Sequence, residues 1–313
     1  AFGGSSGYFL SSLPLLLVSR LCVGLSAACI QVMALTLVNT KLSPAGRAKW
    51  MGLHVSIATL CSLLIFPMSG YLGDISWRLP FLEHMFALVV FAAILVSPIT
   101  ELPRAPEKAA GAADESIWKW MPWHYIGLTL FTGAITFLPT IYSAFLFRDK
   151  FGLLPSGIAK VMLVTALTGG LSAMFYGRAM RYLSVHSAFL VAFGCAGVGM
   201  LVVATAPSLP LMIAGFLVYS IGNAWFVPNF MNAIGGKVKP HQQARAAGLV
   251  KMGQFGSTPI CVLLVEPYAR QFGPVTVMLL ASGLAATIFT LILIRMVTLG
   301  GGSLRGAAQS ASH

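Results

Sequence analysis

Long apolar stretches separated by short polar connectors make up most of the chain. Nine of them reach or approach the roughly 20 residues a helix needs to cross a bilayer core. They cover residues 12–39, 51–73, 84–100, 123–147, 157–177, 186–206, 209–235, 246–265 and 274–297. Runs this long predict membrane helices, because only a helix pairs all its backbone groups within one segment inside lipid. Charges and turn residues collect in the connectors, as at 40–49, 206–208 and 235–245. The connector from 101 to 121 is longer and mixes Glu, Arg, Lys and Asp with Ala, Gly and Pro. It predicts a linker between two bundles, one within residues 1–100 and a six-helix one within 122–298. Residues 299–313 read as a disordered Gly/Ser/Ala tail.

Composition strengthens this reading. Of 313 residues, 57% are hydrophobic and only 9% charged, with a mean hydropathy of +0.84. A soluble domain carries about 25% charged residues, so a soluble globular protein is excluded and an all-α polytopic membrane protein is predicted. The net charge of +12 does not point to nucleic acid. The basic residues lie between apolar runs, where they face anionic lipid headgroups. Alternating the sides of successive spans places fourteen of the twenty Lys and Arg on one face and four on the other. That asymmetry predicts a cytoplasmic linker and C-terminus in a plasma or bacterial inner membrane. The five cysteines all fall in apolar runs without metal-ligand spacing, which suits packing at helix contacts. No phosphate loop, nucleophile elbow or metal cluster occurs. An enzyme and a bound cofactor are therefore not expected.

Three spans before the linker and six after it make a lopsided layout. Carriers are commonly built from two similar halves around a midplane site. That predicts about three further spans ahead of Ala1, with Ala1–Leu10 as the outer end of the third. Two motifs then become legible. Arg20-x-x-x-Gly24-x-x-x-Ala28 resembles the fourth-helix motif of the major facilitator superfamily. Phe66-Pro67-Met-Ser-Gly70, followed by Trp77-Arg78 and Phe81, resembles the fifth-helix antiporter motif of its drug:proton branch. Phe66 and Tyr71 stand where that motif has glycines. The cytoplasmic loop motif is represented only by Gly177, Arg178 and Arg181. The resemblance implies the facilitator fold, with the chain as helices four to twelve, in a monomer.

Arg20 lies about 12 Å into its span at 1.5 Å rise per residue, where an arginine costs at least ~2.5–3.5 kcal/mol unless it faces protein or water. It either lines the bundle interior or snorkels to the interface. Gly24, Ala27, Ala28 and Gln31 continue its face. In the family such an Arg is thought to assist proton coupling. Pro67 and Gly70 form either a gate or an ordinary kink. In the tenth family helix, Trp225, Phe226, Asn229 and Asn232 share a stripe loosened by Pro228. They form either the wall of a solute cavity or interhelical glue. Thr136 and Tyr142 in the seventh and Gln254 in the eleventh are further substrate candidates, with packing as the alternative. None of the acids lies deep in a span, so the proton site stays open.

These features predict a secondary transporter that exports a small organic solute or drug in exchange for protons by alternating access. A metabolite uptake carrier on the same fold and a non-transporting truncated paralogue or membrane sensor are the alternatives. The partners are a small-molecule solute, protons and the lipid bilayer, with no nucleic acid.

Overall fold

The computed structural model describes residues 1–41, 44–97, 116–235, 237–238 and 242–310. Among the described residues, a short helical start, Phe2–Ser5 and the 3-10 turn Ser6–Tyr8, is followed by eight helices of 21 residues or more and one of 10 residues. They are α1 (Leu13–Lys41), α2 (Pro44–Ile75), α3 (Phe86–Leu95), α4 (Trp123–Phe151), α5 (Pro155–Ala179), α6 (Val185–Thr205), α7 (Leu209–Gly235), α8 (Gln243–Phe272) and α9 (Pro274–Ser310). A 3-10 segment, Leu79–Met85, leads into α3, opened by Pro80 near its first turn, where a missing N–H leaves no bond unmade. Each predicted span contains a helix, though α3 covers only ten residues of the 84–100 run, whose last three residues lie outside the described ones. α9 continues to Ser310, through the segment whose composition predicts a disordered tail. Most of the expected linker lies outside the described residues, which resume just before a short helix, Ile117–Trp120.

Among the described residues, seven helices are long and apolar enough to cross a membrane, and Leu60–Ile75 and Leu79–Leu95 are shorter apolar helices. Several are apolar all round, which is the pattern of a helix that faces lipid on one side and protein on the other. Leu15, Leu17, Leu21 and Leu25 of α1 are exposed, as are Leu263 and Leu264 of α8. All five cysteines are free, and Cys22, Cys29 and Cys61 lie on exposed faces.

The chain divides into two compact units. Unit 1 takes Ala1–Asp114 together with Leu153–Leu163, and unit 2 takes Glu115–Gly152 together with Val164–His313. α5 therefore begins in unit 1 and continues in unit 2. Its beginning is tied down within unit 1. Asp74 at the end of α2 accepts a hydrogen bond from the backbone N–H of Ser156 (3.0 Å), satisfying one of the free donors of a helix start. A Cβ on Gly70 would lie 2.5 Å from that of Ala159 and 2.8 Å from the Ser156 Cα, so only glycine permits this approach.

In unit 2 the core is aromatic. Phe189, Phe193, Phe226 and Phe230 are almost fully buried. Ring centroids lie 4.9 Å apart for Phe189–Phe230 and 4.8 Å apart for Phe193–Phe226, within the favourable range for aromatic pairs. α6 and α7 meet through glycines. Gly215 of α7 lies against the Gly199 backbone of α6, where an added Cβ would stand 2.9 Å from a carbonyl oxygen. Small residues let helices close in where lipid supplies no hydrophobic driving force. Lys150 at the end of α4 donates to the carbonyl of Ala206 (2.7 Å), just past the C-terminus of α6, where a cation is favoured.

Candidate functional site

In unit 1, Arg20 is half-buried and its guanidinium bonds through Nε and Nη2. Nη2 donates to the carbonyls of Gly4 (2.7 Å) and Gly3 (3.2 Å), and Nε reaches the Ser19 hydroxyl (3.4 Å). The Cζ lies 4.9 Å from the centre of the Phe81 ring, within cation–π range. Gly4 and Gly7 make this possible. A Cβ at either would fall on His84 and Phe81 respectively, so the two rings of the 3-10 segment rest directly on the N-terminal turn. Arg20 thereby joins α1, that turn and the 3-10 segment. Gly24, one turn further along α1, is exposed with open space beside it. The side chain of Gln31 lies outside the described residues. Pro67 sits half-buried inside α2 and Gly70 is buried against the start of α5. Trp77 and Arg78 stack on each other at 5.1 Å. A cavity of about 410 Å³ opens beside them, lined by Tyr8, Phe9, Ser76, Arg78 and Leu79.

Unit 2 carries two polar clusters. The first is at mid-helix. Thr136, halfway along α4, donates to the Asn223 side chain at the middle of α7 (2.7 Å), and both residues are only half-buried. Beside this pair α4 contains Pro139, which has no N–H to offer the carbonyl of Ile135. The Tyr219 hydroxyl of α7 contacts that carbonyl (3.2 Å) and the neighbouring Thr136 carbonyl (2.9 Å). A backbone acceptor freed by proline at membrane depth is thus met by a side chain of another helix.

The second cluster joins α5, α6 and α7. Tyr176 donates to Asn229 Oδ1 (2.9 Å), and Asn229 Nδ2 donates to the carbonyl of Val185 at the start of α6 (3.0 Å). Trp225 Nε1 donates to the Ser172 carbonyl (3.1 Å), while Ser172 Oγ donates to the Ile221 carbonyl (3.1 Å). The Trp225 and Tyr176 rings meet edge to face at 5.6 Å. Of the stripe Trp225, Phe226, Asn229 and Asn232, only Asn232 is exposed. Phe226 is buried against Phe193, and Asn229 is completely enclosed.

Toward one end of α4, the Tyr142 hydroxyl donates to Glu266 of α8, and Arg270 Nε donates to the same carboxylate (2.8 Å). Gln254 is buried where α4 and α8 cross. A Cβ on Gly133 there would collide with the Gln254 carbonyl and the Ser257 hydroxyl. At the far end of α5, Gly177 has open space around it and Arg178 and Arg181 are exposed. Tyr219, Tyr176 and Asn223 belong to these clusters and were not among the candidates. Tyr219 leaves a signal, since a mid-span proline frees a carbonyl that some donor must satisfy. The partner of that carbonyl cannot be read from one sequence. No group of three or more His, Cys, Asp or Glu suited to a metal occurs among the described residues.

A family model described as the Major Facilitator Superfamily matches residues 1–262. The chain belongs to the major facilitator superfamily. Together with its apolar helices, this makes it a multi-pass membrane transporter and not an enzyme. Among solved structures the chain is similar to the nucleoside transporter NupG, solved as a point mutant, with a TM-score of 0.66 at 13% identity. The match covers 93% of this facilitator chain and 80% of that one. A search of curated protein sequences found no match.

Proposed function

We propose that this facilitator chain moves a small organic solute by alternating access, coupled to protons. The observation that carries the reading is the half-buried Thr136–Asn223 pair at mid-helix in unit 2. Polar groups placed halfway along membrane helices are costly unless they serve packing or a pathway, and these two keep part of their surface open. Midplane is also where carriers of this architecture hold their solute. Tyr142, Gln254, Trp225, Phe226, Asn229 and Asn232 are proposed to shape that site or hold it in place. Asn232 supplies an exposed amide, and Trp225 with Phe226 supplies apolar bulk. In unit 1, Arg20 and Gly24 with Gln31 are proposed to act in coupling, and Pro67 with Gly70 in gating. Gly177, Arg178 and Arg181 are proposed to form a cytoplasmic loop contact.

Direction separates two readings. Export by proton antiport follows from the likeness of the Pro67–Gly70 segment to the antiporter motif. Uptake of a metabolite on the same fold is the second reading, and the similar structure's name, nucleoside transporter, suggests a nucleoside as one solute to try. Proteoliposomes carrying an imposed pH gradient distinguish them, with uridine and the cationic dye ethidium as probes. Antiport drives solute against the proton flow and symport drives it with the flow. Absence of gradient-driven movement of either probe, and of any member of a broader solute panel, would refute proton-coupled transport.

A further inference from the structure

We propose that Glu83 is a proton-binding carboxyl group of unit 1, and that the Pro67–Gly70 segment of α2 senses its charge through Ser69. The inference rests on the proton-coupled reading above and supplies it with a titrating group.

Glu83 lies in the 3-10 segment Leu79–Met85, between Phe81 and His84. Its Oε1 is shut off from solvent and has no hydrogen-bond partner among the described residues. The Ser69 side chain of α2 lies beside the carboxyl group and favours its charged form, against the burial that disfavours it. A carboxylate oxygen that is both dry and unpartnered is among the least favourable arrangements in a protein, and adding a proton removes the charge that makes it so. In the sequence Glu83 lies just ahead of the 84–100 apolar run, with nothing to separate it from the other acids. The fold does so by laying the 3-10 segment against α2.

Among the described residues Glu83 has no ion-pair partner, and the ionisable groups on the elements around it make other contacts or are exposed. On the 3-10 segment, His84 Nδ1 is 3.2 Å from the Phe81 carbonyl, and Arg78 at its start lies over Trp77. On α2, Asp74 caps α5 and Tyr71 is exposed. Arg20 of α1 is held by the Gly3 and Gly4 carbonyls. Tyr8 packs edge to face on Phe9. Lys160, on the part of α5 within unit 1, is exposed. The helical start Phe2–Ser5 and α3 carry no ionisable side chain.

The chemistry is one reversible proton transfer. With Glu83 ionised, the Ser69 hydroxyl donates to the carboxylate. When the carboxylate takes a proton from water, it becomes neutral and gains an O–H donor, and the Ser69 oxygen can accept from it. Ser69 lies two residues after Pro67, where α2 lacks a backbone bond. It lies immediately before Gly70, which touches Ser156 and Ala159 of α5. A rearrangement at Ser69 therefore falls where α2 is weakest and presses on the start of α5.

The test uses the full chain without solute. Infrared difference spectra of the purified protein in lipid nanodiscs report the C=O stretch of protonated carboxyl groups as pH is varied. The wild type should retain such a band at pH values above the ~4.3 at which an ordinary glutamate is half ionised. E83Q should lose it. S69A keeps the carboxyl group and should shift the band, so the result does not depend on E83Q folding. An E83Q spectrum identical to wild type overturns the assignment, and an unmoved band in S69A overturns the link to the Pro67–Gly70 segment. Solute-driven proton flux in liposomes loaded with pyranine is read separately. If that flux is absent while the Glu83 band is present, the coupled-transport reading fails and the titration of Glu83 stands.

Discussion

Replacing Tyr219 by Phe removes one hydroxyl and leaves the ring in place. That hydroxyl contacts the Ile135 and Thr136 carbonyls. The Thr136 carbonyl keeps a second donor, the Thr140 hydroxyl at 2.8 Å. The Ile135 carbonyl loses the donor that replaces the N–H missing at Pro139. Leaving a buried acceptor unmet costs about 1–3 kcal/mol. Measured interhelical hydrogen bonds in membranes average ~0.6 and reach ~1.7 kcal/mol. The expected loss is therefore about 1–2 kcal/mol, or roughly a five- to thirty-fold shift in the unfolding equilibrium. Pro139→Ala restores an N–H that can bond to the Ile135 carbonyl, so Tyr219→Phe should cost distinctly less in that background. Unfolding in mixed micelles with increasing dodecyl sulfate, followed by tryptophan fluorescence, yields the double-mutant cycle. Equal losses in both backgrounds would refute the claim that Tyr219 serves the proline break.

Other consequences are more local. Gly133→Ala sets a methyl group against the Gln254 carbonyl and should destabilise by about 1–3 kcal/mol; Gly170→Ala, which meets nothing within 4 Å, should be neutral or stabilising in the same micelle titration. Asn229→Ala breaks bonds to Tyr176 and Val185 and should lower stability, whereas Asn232→Ala on an exposed position should spare stability and change apparent solute affinity in a transport assay. Arg20→Ala should abolish coupled transport with expression intact, and unchanged transport would discard its coupling role. Asp74→Ala removes the acceptor that caps α5 and should cost about 0.5–2 kcal/mol, measured by the same unfolding.

Much of the helix layout was legible because hydropathy and length decide it. All nine apolar runs contain helices among the described residues; α2 and α8 extend into polar sequence, α9 runs on to Ser310, and α3 is shorter than its run. Site residues were harder to read, because a stripe on one helix does not reveal what faces it. Asn229 and Asn232 share the α7 stripe. One is enclosed by Tyr176 and the start of α6, and the other is exposed. Arg20 stood out by its depth, but its acceptors are backbone carbonyls of Gly3 and Gly4, which no side-chain pattern announces. Glu83 shows the same limit, since its burial comes from a 3-10 segment folding onto α2.

Coupled solute movement is the central claim. Its most direct test is solute accumulation in proteoliposomes under an imposed pH gradient, compared between the wild type and Thr136→Ala. The account predicts accumulation that collapses when a protonophore removes the gradient, with a weakened apparent affinity in Thr136→Ala at normal protein stability. Accumulation that persists without the gradient, or a Thr136→Ala variant indistinguishable from wild type, would contradict it.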